Sequence, residues 1–342
     1  MVKVTLTGQV RKSTVYVGLD YHQAFVQVCV MDASGQVLSN RQCANTAKAV
    51  RDAVQRCGVI VSAAIEACCG AADLAEELIA AGWQVSLAHA LYVHKLKQSP
   101  DKTDWSDARL IADLLRVGYL PKVWLPPKEL RQLRHVVRHR QQLAERRRAT
   151  KLRVTALLRS ERIVFTGSRW TKSWIKAVRN CADLGDQGLW VVHELLDEVV
   201  HLQTQLDRVE VRLEELTKDD PFAQQLRSDS GVGLITAVTL RAEWGTMSRF
   251  RSGKQLSRFS ALSPRNASSG NKVADAGVIQ AGNRELRRVL IETAHRLMRC
   301  DERWAKLGAS LKARGKPGSV AAVAVANRWV RWLYHQLLPL AV

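Results

Sequence analysis

The sequence predicts an α/β domain followed by a mainly helical remainder, and three observations support this fold class. Over the first 120 residues, short apolar strand patterns alternate with amphipathic helix patterns. A basic stretch over 128–160 then has the length and composition of one long helix. An acidic stretch over 192–216 repeats apolar residues at alternating spacings of three and four, which is typical of a coiled coil.

The strand and helix patterns of the first domain follow a specific order. Strands are predicted at 16–20, 25–30 and 37–43, and the turn Asp32-Ala33-Ser34-Gly35 is short, so we expect these strands to be antiparallel neighbours. They are followed by helices at 48–56, 73–81 and 104–117 that alternate with strands at 59–66 and 83–88. The order βββαβαβα predicts an RNase H-like mixed sheet.

The basic helix is expected to bind phosphates. Residues 121–180 hold 17 basic and three acidic residues, so the ion pairs at i,i+4 that usually support a merely solvated charged face are missing. The phosphate-binding side chains predicted on this helix are Arg131, Arg134, Arg138, Arg146, Arg147, Arg148 and Lys151.

Two tryptophans follow this helix among further cations. Trp170 and Trp174 stand between Arg169, Lys172 and Lys176. This pattern suits stacking on unpaired bases, but it is equally typical of two tryptophans that belong to a core.

The acidic stretch predicts a second long helix with one apolar seam. Residues 181–230 hold 12 acidic and four basic residues. The basic helix, packed as a hairpin, and a second copy of the chain are the two possible partners, and we expect both, with a dimer as the result. The seam positions are Val192, Leu195, Val199, Leu202, Leu206, Val209, Leu213 and Leu216.

The last third of the chain is expected to be a mainly helical domain. Gly231-Val232-Gly233 lies between helical patterns and is either a phosphate-binding turn of the helix-hairpin-helix kind or a plain tight turn. Further helices are predicted from 282 through 294 and over 320–338. Together these patterns divide the chain into 1–122, 123–220 and 221–342.

Composition excludes several classes of protein and indicates a polyanion as the partner. The formal charge is +20, and the positive surplus lies over 121–180 and 231–342 while 1–120 is close to neutral. No apolar run reaches the ~18 residues of a membrane span, and the first residues lack the apolar region of a secretory signal. Seven cysteines without a CxxC pair favour reduced thiols. We therefore expect a cytoplasmic nucleic-acid-binding protein without a membrane partner.

Four carboxylates of the first domain are candidates for metal binding. Asp20 ends the first strand, Glu66 lies in an apolar strand, and Asp104 and Asp107 begin a helix on one face. In an RNase H-like sheet these elements converge, and oxygen ligands at that density suit Mg²⁺ or Mn²⁺. The alternatives are a turn residue for Asp20 and helix capping with dipole pairing for Asp104 and Asp107.

A serine in the last third is the second candidate for chemistry. Ser268-Ser269-Gly270 lies in a basic loop between Arg265 and Lys272, and its surroundings lack a His/Asp pattern of a hydrolase triad. From the residues alone, this segment is typical of a flexible polar turn rather than of a catalytic site. Arg284 and Arg287 open the helix that follows and are expected to bind nucleic acid.

Two blocks of sequence resemble the IS110/IS1111 family of insertion-sequence transposases. The first block resembles the RuvC-like half of that family, and the second resembles its C-terminal half; both occur in the family's order and together cover almost the whole chain. The motifs that carry the resemblance are Val17-Gly18-Leu19-Asp20-Tyr21-His22, Ala64-Ile65-Glu66-Ala67 and Lys102-Thr103-Asp104-Trp105-Ser106-Asp107-Ala108 in the first block, then Gly231-Val232-Gly233, Arg249-Phe250-Arg251-Ser252, Ala261-Leu262-Ser263-Pro264, Ser268-Ser269-Gly270 and Gly282-Asn283-Arg284-Glu285-Leu286-Arg287 in the second.

The resemblance implies a function for the chain and roles for its residues. It implies a metal-binding DEDD tetrad of Asp20, Glu66, Asp104 and Asp107 and a serine nucleophile at Ser269, with Ser268 as the competing assignment. It further implies strand exchange through a 5′-phosphoserine link between donor and target DNA, a structured guide (bridge) RNA, and a homodimer or homotetramer. The doubled Cys68-Cys69 and the residues before Val15 depart from the family pattern but leave the tetrad intact.

Two other functions are compatible with the same residues. One is a metal-dependent junction-resolving nuclease that uses water as its nucleophile, in which Ser269 has only a structural role. The other is a non-catalytic nucleic-acid-binding scaffold, which would use the basic helix and the coiled coil but not the carboxylates.

Overall fold

The structure of the chain is a computed structural model, and it describes residues 14–97, 103–266, 275–279 and 281–340. The residues fall into two compact units that meet in sequence between Leu125 and Pro126. The division into 1–122, 123–220 and 221–342 stays a prediction. Within the described part of the chain, we find no helix that combines the length and the apolar character needed to cross a membrane.

The first unit is built on a six-stranded mixed sheet. The spatial order of the strands is β3-β2-β1-β4-β5-β6. Strand β2 pairs antiparallel with both β1 and β3, and β4 pairs parallel with both β1 and β5. Strand β6 pairs antiparallel with β5. The strands are β1 (Thr14–Tyr21), β2 (Phe25–Asp32), β3 (Val37–Ala44), β4 (Val59–Glu66), β5 (Val85–Ala88) and β6 (Lys122–Val123), and the helices are α1 (Ala47–Val54), α2 (Ala71–Ala80), α3 (Ala90–Leu96) and α4 (Asp104–Arg116). The predicted α/β class and order of elements are confirmed, with α3 and β6 in addition. The sheet is consistent with an RNase H-like domain.

The hairpin between β2 and β3 forms for a local reason. Asp32 Oδ1 accepts hydrogen bonds from the backbone N–H groups of Ser34 and Gln36, each at 2.9 Å, and Gly35 takes a left-handed φ of 96°. Six consecutive residues of β2 are buried because both faces of the sheet are covered.

Helix α4 lies very close to the middle of β1. A Cβ atom added at Gly18 would lie 2.1 Å from the carbonyl oxygen of Ala108 and 2.5 Å from the backbone nitrogen of Ala112. Only a glycine allows this approach, and the approach brings the end of β1 next to the beginning of α4.

We expect Gly18→Ala to destabilise the first unit by about 3 kcal/mol, because a methyl group would push β1 and α4 apart and backbone atoms cannot rotate away. Urea unfolding followed by circular dichroism checks this value. Gly318→Ala is the matched control, since its added Cβ would meet open space. Equal stability of the two variants would contradict the close packing of β1 on α4.

The second unit is helical apart from one small two-stranded sheet. Its helices are α5 (Lys128–Ser160), α6 (Lys172–Arg179), α7 (Gly185–Thr217), α8 (Pro221–Arg227), α9 (Leu234–Trp244), α10 (Gly253–Phe259), α11 (Arg284–Cys300), α12 (Glu302–Ala313) and α13 (Gly318–Leu337), and its strands are β7 (Pro264–Asn266) and β8 (Asp275–Val278). The predicted mainly helical remainder is therefore confirmed.

The long helices α5 and α7 pack against each other along the predicted apolar seam. Leu143 of α5 contacts Leu202 and Leu206, and both α7 residues are almost fully buried. Arg140 of α5 donates two hydrogen bonds to Glu210 of α7, at 3.0 and 2.7 Å, so opposite charges flank the seam. The hairpin within one chain is thus present, and self-association stays a prediction.

The other helices of this unit enclose a core around two tryptophans. Trp244 and Trp329 are fully buried, and their indole N–H groups donate to Ser260 Oγ and to Asp229 Oδ2, each at 3.0 Å. The Gly-x-Gly segment forms the turn between α8 and α9, where Gly231 has a φ of 84° and an added Cβ would lie 2.9 Å from Cys300 Sγ. The close packing around Gly231 explains why a glycine is needed at this position. Binding of phosphate by this turn stays a prediction.

Candidate active site

The sheet places Asp20 and Glu66 at one edge. Strands β1 and β4 are parallel neighbours, and Leu19 lies opposite Ile65, so Asp20 and Glu66 follow at equivalent positions near the carboxyl ends of both strands. Glu66 is half-buried at the last position of β4. Partial burial raises the pKa of the Cys68 thiol to about 11, and the negative charges of Glu66 and Asp20 add smaller contributions in the same direction. Cys68 is therefore a protonated thiol at neutral pH beside these carboxylates.

Asp20, His22 and Asp104 form a cluster that was not predicted as a set. The Nε2 atom of His22 lies 3.3 Å from Asp20 Oδ2 and 3.3 Å from Asp104 Oδ1. One potential ligand atom from each of the three residues lies within 4.8 Å of the others. The imidazole thus joins a carboxylate of the sheet to a carboxylate of α4.

His22 is held in place by its neighbours. Its ring stacks on Phe25 with 4.5 Å between the ring centroids, and its backbone N–H donates to the Phe25 carbonyl at 2.9 Å. Its own carbonyl accepts a hydrogen bond from Asn45 Nδ2 at 3.0 Å. The side chain therefore needs little ordering before it binds a ligand.

The beginning of α4 shows what Asp104 and Asp107 do in the folded chain. Thr103 is the N-cap, and its hydroxyl accepts from the backbone N–H of Ser106 while the Ser106 hydroxyl closes a capping box. Asp104 and Asp107 are therefore not needed as caps. The Asp104 carboxylate lies at His22, whereas Asp107 forms a 2.5 Å ion pair with Lys97, and both of these side chains are largely buried.

Electrostatics within the cluster favour a bound cation. Burial raises the pKa of Asp20 above its usual value, and the nearby charges of Asp104 and Asp107 raise it further, whereas His22 lowers it. Carboxylates that repel one another in a partly desolvated position gain stability from a positive charge among them. Two carboxylates and one imidazole form a ligand set that suits divalent ions such as Mn²⁺. Mg²⁺ prefers oxygen ligands and would use the two carboxylates of the set. The cluster thus fits the metal that was predicted for this edge.

The predicted tetrad is only partly assembled around that cluster. Among the described residues, the three-residue group contains Asp20 and Asp104 but neither Glu66 nor Asp107. His22 is the functional candidate that sequence reasoning left without a role. The available signal was its position in the sequence, two residues after Asp20 and directly after the last residue of β1.

The structure describes the two strands on either side of the predicted serines. Ser268, Ser269 and Lys272 lie outside the described residues. On either side of them in sequence, β7 and β8 pair antiparallel, with Pro264 opposite Val278. Arg265 lies on β7 and is exposed.

Nine of the predicted nucleic-acid-binding cations divide into two groups, and Lys151 is half-buried on α5. The first group has partners within its own unit: Arg131 donates to the Pro126 carbonyl, Arg134 to the Ala242 carbonyl, Arg138 pairs with Glu243, Arg147 bonds Gln203, and Arg287 donates to the Ile279 carbonyl. Arg134 is so far withdrawn from solvent that burial lowers its pKa. The second group, Arg146, Arg148, Arg265 and Arg284, is exposed.

Two family models match the chain, and the first extends from the first unit into the second. A DEDD-type transposase model of IS110 matches residues 17–162, and a model described as "Transposase IS116/IS110/IS902 family" matches residues 223–309, so that together they cover about two thirds of the chain. The first match begins within β1 and includes Asp20, Glu66, Asp104 and Asp107.

Curated proteins similar to this chain are named as transposases. The chain is 26% identical to the transposase for insertion sequence element IS1111A of Coxiella burnetii, with 92% of this chain and 88% of that protein covered. It is 28% identical to the "Probable family 20 transposase" of Pseudomonas aeruginosa, with 94% and 96% covered. It is 29% identical to the "Putative transposase y4qE" of Sinorhizobium fredii over 68% of this chain, and the match spans 64% of that protein's length, which is less than two thirds. The chain belongs to the IS110 family of insertion-sequence transposases.

Proposed function

We propose that this chain cuts and rejoins DNA strands as the transposase of an insertion sequence, guided by a structured RNA. The cluster of Asp20, His22 and Asp104 carries the proposal, because it provides a cation site next to a half-buried acid, Glu66, in a strongly basic chain. The requirement for a guide RNA, and for a dimer or tetramer, rests on the resemblance of both sequence blocks to the family. The surplus charge over 121–180 and 231–342 suits two nucleic acids rather than one.

In the proposed cleavage step, Ser269 is the nucleophile. Its Oγ bonds to the phosphorus of one DNA phosphodiester while the bond from phosphorus to the 3′ oxygen breaks. The proton lost by the serine hydroxyl is balanced by the proton gained by the leaving 3′ oxygen. The products are a 5′-phosphoserine and a free 3′-hydroxyl, and attack of a second strand's 3′-hydroxyl on the phosphoserine reverses the step and completes the exchange.

The residues of the first unit would hold the divalent ion for this step. Asp20 and Asp104 are the carboxylate ligands, His22 completes the described set, and Glu66 and Asp107 belong to the proposed tetrad. Lys97 keeps the Asp107 side chain in one position through their ion pair. When bound, the ion supplies positive charge that polarises the phosphate and stabilises the leaving oxygen.

Removal of divalent metal tests this proposal. We expect purified protein with its co-purifying RNA to cleave a plasmid that carries the gene and its native flanking DNA, and we expect EDTA to abolish cleavage. Addition of Mg²⁺ or Mn²⁺ in excess of the chelator should restore it, because the carboxylates alone repel the phosphate. Cleavage that continues unchanged in EDTA would contradict a metal-assisted mechanism.

A further inference from the structure

A surface pocket in the second unit joins the end of α5 to the loop before α6. It has a volume of about 450 Å³, within the range of small-molecule sites, and its lining includes Arg147, Arg148, Lys151, Leu152, Arg169 and Trp170. A smaller cavity of about 150 Å³ shares Thr155 and Arg169 with it and adds Arg159, Arg162, Phe165 and the indole of Trp174. The two hollows are neighbours lined by cations and aromatic rings, and together we call them the arginine–tryptophan pocket.

Four arginines of this pocket take no part in the ion pairs that the described residues form. The ion pairs that the described residues form in this region are Arg140–Glu210, Arg153–Glu198 and Arg179–Asp197, and none of them uses Arg148, Arg159, Arg162 or Arg169. All four of these arginines are exposed. Since like charges gathered in a hollow repel one another, an anion is the ligand that stabilises them.

The two tryptophans that were candidates for base stacking play different parts. Trp174 is 5% exposed and belongs to the core between α5, α6 and α7, so the core alternative holds for it. Trp170 is half-buried and lines the pocket, and the Lys151 ammonium lies 4.7 Å from the centre of its ring. Trp170 also packs against Trp174, with 4.9 Å between ring centroids, so the core supports it from one side.

The backbone at the pocket is strained at two positions. Arg162 has a φ of 58° and Trp170 a φ of 69°, which is the left-handed region that non-glycine residues rarely adopt. Both side chains line the surface described above. Arg162 directly follows the C-cap of α5, where a left-handed residue commonly ends a helix, and the Ile163 N–H donates to the Leu158 carbonyl at 2.8 Å. Only the strain at Trp170 therefore points to a ligand site, where the surrounding structure maintains it.

We infer that the arginine–tryptophan pocket binds an unpaired nucleotide of a single strand. The base takes the place of the Lys151 ammonium on the Trp170 ring, and the phosphates lie at Arg148, Lys151 and Arg169. The charge requires a polyanion, and the aromatic wall requires a ligand with a free planar face. A base inside a duplex is already stacked on both faces, so a single strand or an extruded base satisfies both requirements. The inference rests on the proposed function only for its class of partner, nucleic acid.

Binding of labelled oligonucleotides in EDTA tests this inference without requiring cleavage. The probes are a uridine and a deoxythymidine octamer, the corresponding abasic phosphodiester octamer, and a DNA duplex. Full-length Trp170→Ala should bind the base-containing octamers roughly 5- to 100-fold more weakly, which is the usual effect of losing one stacking partner. Its affinities for the abasic octamer and the duplex should match those of the wild type. If the uridine octamer binds more tightly, the strand in the pocket is a guide RNA. If the deoxythymidine octamer binds more tightly, it is a displaced DNA strand.

Two controls keep this test decisive. Trp190→Ala removes another tryptophan, 63% exposed on α7 and absent from the pocket, and should leave all affinities unchanged. Because Trp170 also supports the core, photocrosslinking of wild-type protein to a 5-bromouracil octamer provides a second measurement, and the crosslinked peptide should contain Trp170. Three results would overturn the inference. Trp170→Ala could lose as much affinity for the abasic octamer as for the base-containing octamers, Trp190→Ala could lose as much affinity as Trp170→Ala, or the crosslinks could lie only in other peptides. Since no measurement uses cleavage, a failed transposase assay does not decide this result.

Discussion

Asp104→Asn is expected to lower DNA cleavage by about 100-fold or more while leaving the fold intact. The amide keeps the size of the side chain but loses the charge that lies 3.3 Å from His22 and faces Asp20. Because Thr103 and Ser106 cap α4 by themselves, the substitution leaves the helix terminus satisfied. The rate of cleavage of a plasmid substrate at saturating Mg²⁺ and at saturating Mn²⁺ measures the effect.

Asp113→Asn on the same helix is the matched control. Asp113 pairs with Arg116 three residues later and its side chain is half-exposed, so its replacement removes one negative charge without touching the cluster. We expect cleavage within about twofold of the wild type, as is usual for a surface ion pair of small energy. If Asp104→Asn cleaves as fast as Asp113→Asn, the carboxylate cluster has no part in catalysis, and the non-catalytic scaffold gains support.

Ser269→Ala is expected to abolish cleavage, with a loss on the order of 10⁴-fold, because a methyl group cannot form the bond to phosphorus. The loss should be the same in Mg²⁺ and Mn²⁺. Binding of DNA should stay close to that of the wild type, because the substitution removes a hydroxyl but leaves the basic segments unchanged. Gel assays of cleavage and of binding on the same preparation separate these two effects.

Ser268→Ala is the companion variant, since the resemblance leaves Ser268 as the competing nucleophile. We expect it to retain most of the cleavage activity. If Ser269→Ala still cleaves DNA and Ser268→Ala does not, Ser268 is the nucleophile. If both single variants and the double variant still cut DNA, water is the nucleophile and the junction-resolving nuclease is the better account.

Much of the fold could be predicted because its signals are local. The long helix α5 covers the predicted range 128–160, and β4 covers 59–66, since uninterrupted periodicity and flanking turn residues define both elements. The hairpin of α5 and α7 was one of two predicted partners for the seam, and contacts such as Leu143 with Leu202 identify it. The short elements α3 and β6 were not predicted, because two to seven residues are too few for a periodic pattern.

Side-chain roles were harder to predict, because they depend on contacts between distant parts of the sequence. The sequence singled out Asp20 and Asp104, but the approach of α4 to β1, which Gly18 permits, brings His22 between them. The ion pair of Lys97 with Asp107 likewise joins segments that no spacing rule connects. Trp170 and Trp174 are identical residues in similar sequence surroundings, and only their burial distinguishes the pocket residue from the core residue.

Isolation of a covalent protein–DNA species tests the central claim most directly. A reaction of the wild-type protein with end-labelled DNA and Mg²⁺ is stopped with denaturant, and the protein is digested and analysed by mass spectrometry. The account predicts a DNA adduct that resists denaturation, a phosphodiester remnant on the oxygen of Ser269, and neither product in Ser269→Ala or in EDTA. Efficient cleavage by the wild type without any adduct on serine would contradict it.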